Sequence, residues 1–405
     1  MNWNKLFSES TNGMKESLIR ELVALTKGVK GMISFAGGFP AEATLPSKDL
    51  SEIFAESIKD FGNDILQYGP SGGDKFLKKE IKKWEGIEDY SDDQILISTG
   101  STNGIYYFTK TFIDKGDVII SEGPSFLGTL VAFEAEGAIV EGIPMDSEGM
   151  IMNKLRMKIA SLKNEGKKIK FIYTIPEFQN PTGITMSLKR REELIQIAIE
   201  NEIPILEDNP YEELRLTGTK IPDIYKIARD KFENTDIVTT VKSFSKTLGP
   251  GLRLAYAFGP EKVIGEMISW TQKINVSTDC VTQRAVSNFL KKDMFRPHIT
   301  GIRKFYQPKL NLMLEELEKN MPAEIKWTHP EGGMFVWVYL PEKLNADELF
   351  NKAIKNKVAF IPGSKFYPSN QEVYHELRLN FSYPSLTDIK EGVKRLADII
   401  KQELN

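Results

Sequence analysis

Seven short apolar segments, separated by amphipathic segments, constrain the fold of this chain more than any other feature. Each is at most eight residues long, and several are rich in isoleucine and valine. Helical patterns fill most of the gaps, as at Leu188–Glu200 and Glu261–Lys273. Strands that alternate with helices predict an α/β fold with a mostly parallel sheet and helices on both faces. The predicted strands are Ile95–Thr99, Val118–Glu122, Ala138–Met145, Ile169–Pro176, Ile203–Asp208, Ile237–Lys242 and Leu254–Phe258.

The regions before and after this alternation have a different pattern. Before it, a helical period runs from Met14 to Thr26, followed by an extended stretch. After it, a long helical pattern precedes three strand candidates and a closing helix. We therefore expect a large domain at 48–290 and a small α+β domain at 291–405. The N-terminal segment 1–47 is expected to pack with the small domain and the functional site.

Composition narrows the classes of function. The chain has 53 Lys and Arg against 56 Asp and Glu, a net charge of −3, which argues against a broad basic surface for nucleic acid. One cysteine and three widely spaced histidines predict neither a disulfide nor a metal site. The sequence shows no secretory signal and no apolar stretch of about 18 residues that would span a membrane. We therefore expect a cytoplasmic protein.

Residues that follow the predicted strands are the candidates for a site, because ligands bind beyond the carboxyl ends of such strands. Gly100 and Ser101 follow the first strand and open a helix, whose free N–H groups can bind an anion. A rigid Asn-Pro turn at 180–183 follows the fourth strand. Both turns also occur for purely geometric reasons, so neither identifies a ligand alone.

Two further strand ends carry charged side chains. Glu207 and Asp208 close one strand, and a carboxylate there is costly unless it is solvated or pairs with a cation. For Glu207, a solvated loop acid with no role in a site is an equally good interpretation. The next strand is followed, within eleven residues, by two serines, Lys246 and Arg253. A single lysine would normally be a surface charge, but this combination indicates an anion pocket that contains an amine.

These strand ends share one chemical logic. A partly desolvated lysine can form a Schiff base with a carbonyl group. Hydroxyls, helix N–H groups and an arginine can bind a phosphate. An acid can pair with a ring nitrogen, while an asparagine and a tyrosine can bind a ring oxygen. Together these are the groups that pyridoxal 5′-phosphate requires.

The sequence resembles the fold-type-I, pyridoxal-phosphate-dependent aminotransferases of class I/II, in the branch of 2-aminoadipate, kynurenine and aromatic aminotransferases. The matching stretches follow the family's order and span nearly the whole chain, and SFSK…GLR and NPTG are the most specific. They are SFAGGFP (34–40), LQYGPSGG (66–73), STGSTNG (98–104), EGPSF (122–126), NPTG (180–183), EDNPY (207–211), SFSKTLGPGLR (243–253), PEGGMFVW (330–337) and ELRLNFS (376–382).

This resemblance implies roles around the cofactor ring. Lys246 would bind the cofactor covalently and move a proton during catalysis. Asp208 would pair with the pyridine nitrogen, and Asn180 and Tyr211 would bind the phenolate oxygen. Phe126 would stack on the ring; many relatives have tyrosine there, so a hydroxyl role is lost. The cofactor phosphate would be bound by Ser101, Thr102, Ser243, Ser245 and Arg253.

The resemblance also implies substrate contacts and a partner. Arg378 would bind the substrate α-carboxylate, and Gly38 would approach the substrate closely. Tyr68 would reach the phosphate in a neighbouring subunit, which implies a homodimer with shared active sites. Arg20, on the predicted N-terminal helix, would meet the side-chain carboxylate of an acidic substrate. Alternatively, Arg20 is a solvated residue that pairs with Glu16 one helical turn earlier.

The implied reaction is a ping-pong transfer of an amino group from an amino acid to a 2-oxo acid, with 2-oxoglutarate the expected acceptor. Two alternatives share the cofactor-binding residues. One is a fold-type-I lyase acting on amino acids, and the other is a regulator that fuses this domain to a helix-turn-helix module. Because the aminotransferase-like pattern begins near residue 14, we expect no room for that module before it. The expected catalytic residues are all present, which argues against a binding protein that has lost activity.

Overall fold

The computed structural model describes residues 1–8, 11, 28–233 and 236–404. The strands of this part of the chain are β1 (Ile33–Ser34), β2 (Ile95–Ser98), β3 (Val118–Gly123), β4 (Ile139–Asp146), β5 (Gly149–Met150), β6 (Ile169–Thr174), β7 (Ile205–Asp208), β8 (Val238–Ser243), β9 (Ala255–Phe258), β10 (Lys326–Trp327), β11 (Phe335–Tyr339), β12 (Val358–Ala359), β13 (Ile361–Pro362) and β14 (Glu376–Asn380).

The α-helices of the same residues alternate with the strands through the middle of the chain. They are α1 (Ser47–Ile65), α2 (Lys75–Glu85), α3 (Ser101–Phe112), α4 (Leu127–Ala135), α5 (Met152–Asn164), α6 (Leu188–Asn201), α7 (Ile224–Phe232), α8 (Glu261–Ile274), α9 (Cys280–Lys291), α10 (Phe295–Asn320), α11 (Ala346–Lys355) and α12 (Leu386–Leu404). None of the helices in the described ranges combines the length and the apolar character that a membrane span requires.

An eight-stranded sheet forms the centre of the molecule, in the order β2-β9-β8-β7-β6-β3-β4-β5. The strands from β8 to β4 are parallel to one another, whereas β9 is antiparallel to β2 and β8 and β5 is antiparallel to β4. Every residue of β2, β3, β7 and β9 is buried, so both faces of the sheet are covered. Two-sided burial explains why these strands appear in the sequence as continuous apolar runs. The predicted α/β fold and its seven strands are confirmed; the short β5 is not predicted.

A second sheet, in the order β10-β11-β14-β13, is antiparallel. The N-terminal strand β1 pairs with β12, with Ile33 opposite Val358. The long helix α10 begins at Phe295, four residues before the helical pattern that the sequence predicts over Ile299–Asn320. The predicted helix Met14–Thr26 lies outside the described residues. The domain limits expected near residues 47 and 290 stay predictions.

The sequence fixes both ends of helix α2. The Asp74 carboxylate accepts hydrogen bonds from the backbone N–H groups of Phe76 and Leu77, which caps the first turn. Gly86 ends the helix with a φ of +69°, a conformation that favours glycine. Asp74 also pairs with Arg284 of α9 at 2.7 Å. The helix is thus fixed at its start by two kinds of contact.

Candidate active site

Lys246 lies just after β8, in a short 3-10 turn that begins at Phe244. Its Nζ donates a hydrogen bond to the carbonyl oxygen of Gly38, 2.9 Å away. Loss of solvent around the amine, together with repulsion from Arg378 and Arg253, lowers the pKa of Lys246 to about 8. A substantial fraction of this side chain is therefore neutral and nucleophilic in mildly alkaline solution.

Asp208 is the last residue of β7 and is 3% exposed. Its Oδ2 accepts a hydrogen bond from the hydroxyl of Tyr173 at 2.8 Å. Its Oδ1 is buried and has no hydrogen-bond partner among the described residues. Burial raises the pKa of Asp208 to about 7, while the Tyr173 hydroxyl and the charge of Lys246 oppose this rise. Burying a hydrogen-bond acceptor that has no donor destabilises the folded protein. This oxygen is therefore suited to accept a hydrogen bond from a ligand.

Arg378, Asn180 and Tyr211 form a hydrogen-bonded chain beside these groups. Arg378 Nη1 donates to the amide oxygen of Asn180 at 2.9 Å, and Asn180 Nδ2 donates to the Tyr211 hydroxyl at 3.4 Å. The guanidinium carbon of Arg378 also lies 4.2 Å and 4.9 Å from the ring centroids of Phe335 and Phe366. Burial lowers the pKa of Arg378 to about 10, so the side chain remains cationic at neutral pH. A rigid cation of this kind is suited to binding a carboxylate.

A separate group of residues has the properties of an anion site. Gly100 precedes α3 with a φ of +82°, and a Cβ there would overlap the guanidinium of Arg253. Arg253 Nη2 donates to the carbonyl oxygen of Thr99 at 3.4 Å. The pairing of β8 with β9 places Ser243 opposite Ala255, two residues after Arg253, and the hydroxyls of Ser243 and Ser245 are 3.0 Å apart. No side chain in the described ranges caps the first N–H groups of α3, so they can bind an anion together with this arginine.

The family model for class I and II aminotransferases matches residues 32–396. This chain belongs to the class I and II aminotransferases. Members of the family move amino groups, and this enzyme is a transaminase.

Two curated relatives align with the aminotransferase over nearly their full length. It is 37% identical over 408 residues to aromatic-amino-acid aminotransferase 1 of Thermococcus litoralis, covering 100% of this chain and 96% of the relative. It is 33% identical over 401 residues to 2-aminoadipate transaminase of Thermus thermophilus, covering 99% and 98%. The crystal structure of Pyrococcus horikoshii kynurenine aminotransferase in complex with PMP matches with a TM-score of 0.94 at 37% identity, covering 100% and 99% of the two chains.

The residues of the site fit a pyridoxal phosphate cofactor. A protonated ring nitrogen would supply the donor that Asp208 Oδ1 lacks. Lys246 offers an amine with a lowered pKa for covalent attachment. The N-terminus of α3 and Arg253 offer donors and positive charge to a phosphate. The aminotransferase therefore has groups suited to the nitrogen, the aldehyde and the phosphate of this cofactor.

For some predicted site residues, the structure gives a position but no hydrogen bond or ion pair with Lys246, Asp208 or Arg378 among the described residues. Ser101 and Thr102 form the first turn of α3, and Phe126 directly precedes α4 and is half-buried. The Tyr68 side chain is 79% exposed, and no hydrogen bond joins its hydroxyl to the site within the described ranges. Arg20 lies outside the described residues, so its predicted substrate contact has no structural counterpart here.

The sequence interpretation misses Tyr173, which donates to Asp208 from the neighbouring strand. It also leaves open whether Glu207 is solvated. Glu207 is fully buried, and its carboxylate accepts from the backbone N–H groups of Ile224 and Tyr225 and from the hydroxyl of Thr240. Glu207 therefore caps the start of α7 and is not a solvated loop acid.

A buried charge cluster supports the segment that carries Asp208 and Tyr211. The Nζ of Lys242 lies 2.6 Å from carboxylate oxygens of Glu85 and Glu212 and 2.8 Å from Asp223. One oxygen from each of the three carboxylates lies within 4.8 Å of the others, and the Lys242 ammonium donates a hydrogen bond to all three side chains. Asn209, next to Asp208, donates to both Glu212 and Asp223 at 3.2 Å.

Proposed function

We propose that this aminotransferase passes the amino group of an aromatic amino acid or 2-aminoadipate to 2-oxoglutarate, in two half-reactions that share one site. The donor classes are those named for the relatives of Thermococcus litoralis and Thermus thermophilus. The observation that carries the proposal is the unpaired, buried Oδ1 of Asp208 at the sheet edge that also carries Lys246. This pair supplies a partner for a ring nitrogen and a nucleophilic amine.

The cofactor of this enzyme is pyridoxal 5′-phosphate. When bound, it supplies a conjugated ring that withdraws electrons from the substrate α-carbon. Lys246 Nζ would hold the cofactor through a covalent link and, as a neutral amine, would accept a proton from the substrate α-carbon. The lowered pKa of Lys246 supports this role, because the amine must be unprotonated to attack and to act as a base.

The other side chains bind and orient. Asp208 Oδ1 would accept a hydrogen bond from the ring nitrogen and favour its protonated form. Asn180 and Tyr211 would donate to the ring oxygen, and Phe126 would pack on the ring. The N–H groups and side chains at the start of α3, with two serines and an arginine, would bind the phosphate; these residues are Ser101, Thr102, Ser243, Ser245 and Arg253.

Arg378 binds the α-carboxylate of the substrate through its two terminal nitrogens. This role is supported by its burial and by its fixed position between two aromatic rings. Gly38 would give the substrate a close approach to the backbone, because glycine has no Cβ. Both α-carboxylates, of donor and of acceptor, would use the same arginine.

A homodimer is the assembly that we propose. Leu66 and Tyr68 are 71% and 79% exposed, and Ile274 and Val276 are 47% and 50% exposed. The Ser71 hydroxyl donates to the carbonyl oxygen of Val276 at 2.7 Å, which places the two apolar segments side by side. A second copy would cover this surface and bring Tyr68 to the phosphate of its partner. The cytoplasmic location stays a prediction.

A half-reaction assay tests the proposed function. Protein loaded with pyridoxal 5′-phosphate is mixed with phenylalanine, kynurenine, 2-aminoadipate or alanine, and formation of pyridoxamine phosphate is measured. We expect the aromatic donors and 2-aminoadipate to convert the cofactor to pyridoxamine phosphate, and 2-oxoglutarate to return it to the pyridoxal form. Double-reciprocal plots of the initial rate at several acceptor concentrations should give parallel lines, as two half-reactions at one site require. Release of pyruvate, ammonia and methanethiol from S-methylcysteine, without pyridoxamine phosphate, would instead identify a lyase.

A further inference from the structure

Tyr173 lies at the centre of a buried hydroxyl chain that ends on Asp208. The side chain is fully buried, and its hydroxyl is 2.8 Å from Asp208 Oδ2. The hydroxyl of Thr129, which is 3% exposed on α4, lies 3.3 Å from the Tyr173 hydroxyl. A phenol has one hydrogen, and here it is donated to Asp208, so the contact with Thr129 is a hydrogen bond only when Thr129 donates to Tyr173. The chain thus runs from α4 through β6 to the end of β7.

Strand register explains how Tyr173 reaches the carboxylate. β6 and β7 are parallel, and Tyr173 is paired with Leu206. Asp208 lies two residues further along β7, so its side chain is on the same face as that of Tyr173. The phenol ring spans this diagonal, and the ring of Phe133 packs edge-on against it at 5.3 Å. The position of the hydroxyl is therefore fixed by the sheet and by a packed neighbour.

The two oxygens of Asp208 have unequal surroundings. Oδ2 has the Tyr173 hydroxyl as its hydrogen-bond donor, whereas Oδ1 has none in the described part of the chain. Without a donor at Oδ2, the plane of the carboxylate could turn, and neither oxygen would keep a fixed position. The Tyr173 hydroxyl removes this freedom, because a carboxylate turned out of its present plane would lose a hydrogen bond to a buried charge, which is costly.

We propose that Tyr173, oriented by Thr129, is a positioning residue that fixes the Asp208 carboxylate so that Oδ1 is left for the cofactor ring nitrogen. This inference rests on the proposed role of Asp208. The hydroxyl also makes the carboxylate a weaker base, which keeps the shared proton on the ring nitrogen. Tyr173 would then affect the rate of amino-group transfer without touching the substrate.

The test compares Tyr173→Phe, Asp208→Asn and the double variant with the wild-type enzyme. The half-reaction rate with saturating cofactor, the Kd for pyridoxal 5′-phosphate and the ring-nitrogen signal of ¹⁵N-labelled cofactor are measured. Tyr173→Phe should slow the half-reaction by about tenfold, as loss of a hydrogen bond to a charged group predicts. It should also weaken cofactor binding and move the nitrogen signal toward that of neutral pyridine. In the Asp208→Asn background, Tyr173→Phe should add less than about twofold, because coupled residues are not additive.

Two variants guard against a purely structural effect. Tyr90→Phe removes the hydroxyl of another buried tyrosine. The centroid of the Tyr90 ring lies 5.6 Å from that of Tyr225, and this variant should leave all three readouts unchanged. If Tyr173→Phe does not fold, Thr129→Val tests the same chain and should slow the half-reaction by about threefold.

The outcomes separate the two claims. An Asp208→Asn enzyme with wild-type rate and nitrogen signal would overturn the proposed role of Asp208. An impaired Asp208→Asn enzyme beside an unchanged Tyr173→Phe enzyme would overturn the positioning role alone. Equal losses from Tyr173→Phe in the presence and absence of Asp208 would also overturn it.

Discussion

The side-chain nitrogen of Lys246 lies 2.9 Å from the carbonyl oxygen of Gly38, a residue 208 positions earlier in the chain. Arg378 donates in the same way to the carbonyl oxygen of Ala36 at 2.8 Å. Two cations from distant parts of the sequence thus hold one short stretch of backbone against the site. The N-terminal stretch, the central sheet and the second sheet all contribute to the same group of residues.

The pH dependence of cofactor uptake should report the pKa of Lys246. The neutral amine attacks, so the uptake rate of the cofactor-free protein should rise with pH and level off above about 8, where Lys246 is deprotonated. Arg378→Met removes a repelling charge, which should raise the pKa and move the midpoint to higher pH. Stopped-flow absorbance measures both profiles. A wild-type midpoint near the ordinary lysine value of 10.5 would contradict this account.

Gly100→Ala should weaken cofactor binding by at least about tenfold, because the new Cβ would displace the guanidinium of Arg253 and lose a charge-assisted contact. Gly86→Ala is the matched control. Gly86 also has a positive φ, of +69°, but a Cβ there meets nothing within 4 Å. It therefore isolates the cost of backbone strain. Fluorescence titration gives the two Kd values, and equal effects would show that Arg253 does not bind the phosphate.

Lys242→Met should lower the free energy of unfolding by about 3–5 kcal/mol, because it leaves three buried carboxylates without their cation. Lys220→Met is the control, since Lys220 is 61% exposed and lies 3.6 Å from Glu212. Its effect should stay within about 1 kcal/mol. Urea denaturation of the cofactor-free proteins measures both. Similar small losses for the two variants would mean that the cluster does not support the fold.

Arg20→Ala should raise the KM for 2-oxoglutarate and 2-aminoadipate by about tenfold and leave that for a large apolar donor nearly unchanged, as loss of a desolvated ion pair predicts. The prediction rests on sequence alone. Lys15→Ala removes a charge from the same predicted helix and should change neither KM. Steady-state kinetics with both substrate classes decides; a uniform effect, or none, would favour the surface pair with Glu16.

The strands could be predicted because their signals are local, and so could the places of Asp208 and Lys246 at the sheet edge. Asp208 ends one apolar run and Lys246 comes four residues after another, so both lie where a strand of the sheet ends. The contact between Tyr173 and Asp208 could not be found in this way, because it depends on the register of two strands. One signal could have indicated this contact. If the fourth and fifth predicted strands are aligned in parallel, Asp208 lies at the end of the fifth strand, near Tyr173 of the fourth.

The partners of the buried charged residues could not be predicted from the sequence for a related reason. Lys242 lies within an apolar strand, and its three carboxylate partners come from α2 and from the connections after β7. Only the tertiary structure brings them together. Glu207 likewise has no sequence signal for its partner, because the helix that it caps starts at Ile224.

The central claim is that Lys246 carries the cofactor within a site completed by Asp208. Borohydride reduction of the protein loaded with pyridoxal 5′-phosphate, followed by digestion and peptide mass spectrometry, locates the covalent link directly. We predict that the phosphopyridoxyl group is found on Lys246 and that the Lys246→Ala protein carries none at any lysine. A group attached to another lysine in the wild-type protein, or a Lys246→Ala protein that transfers amino groups at the wild-type rate, would contradict the account.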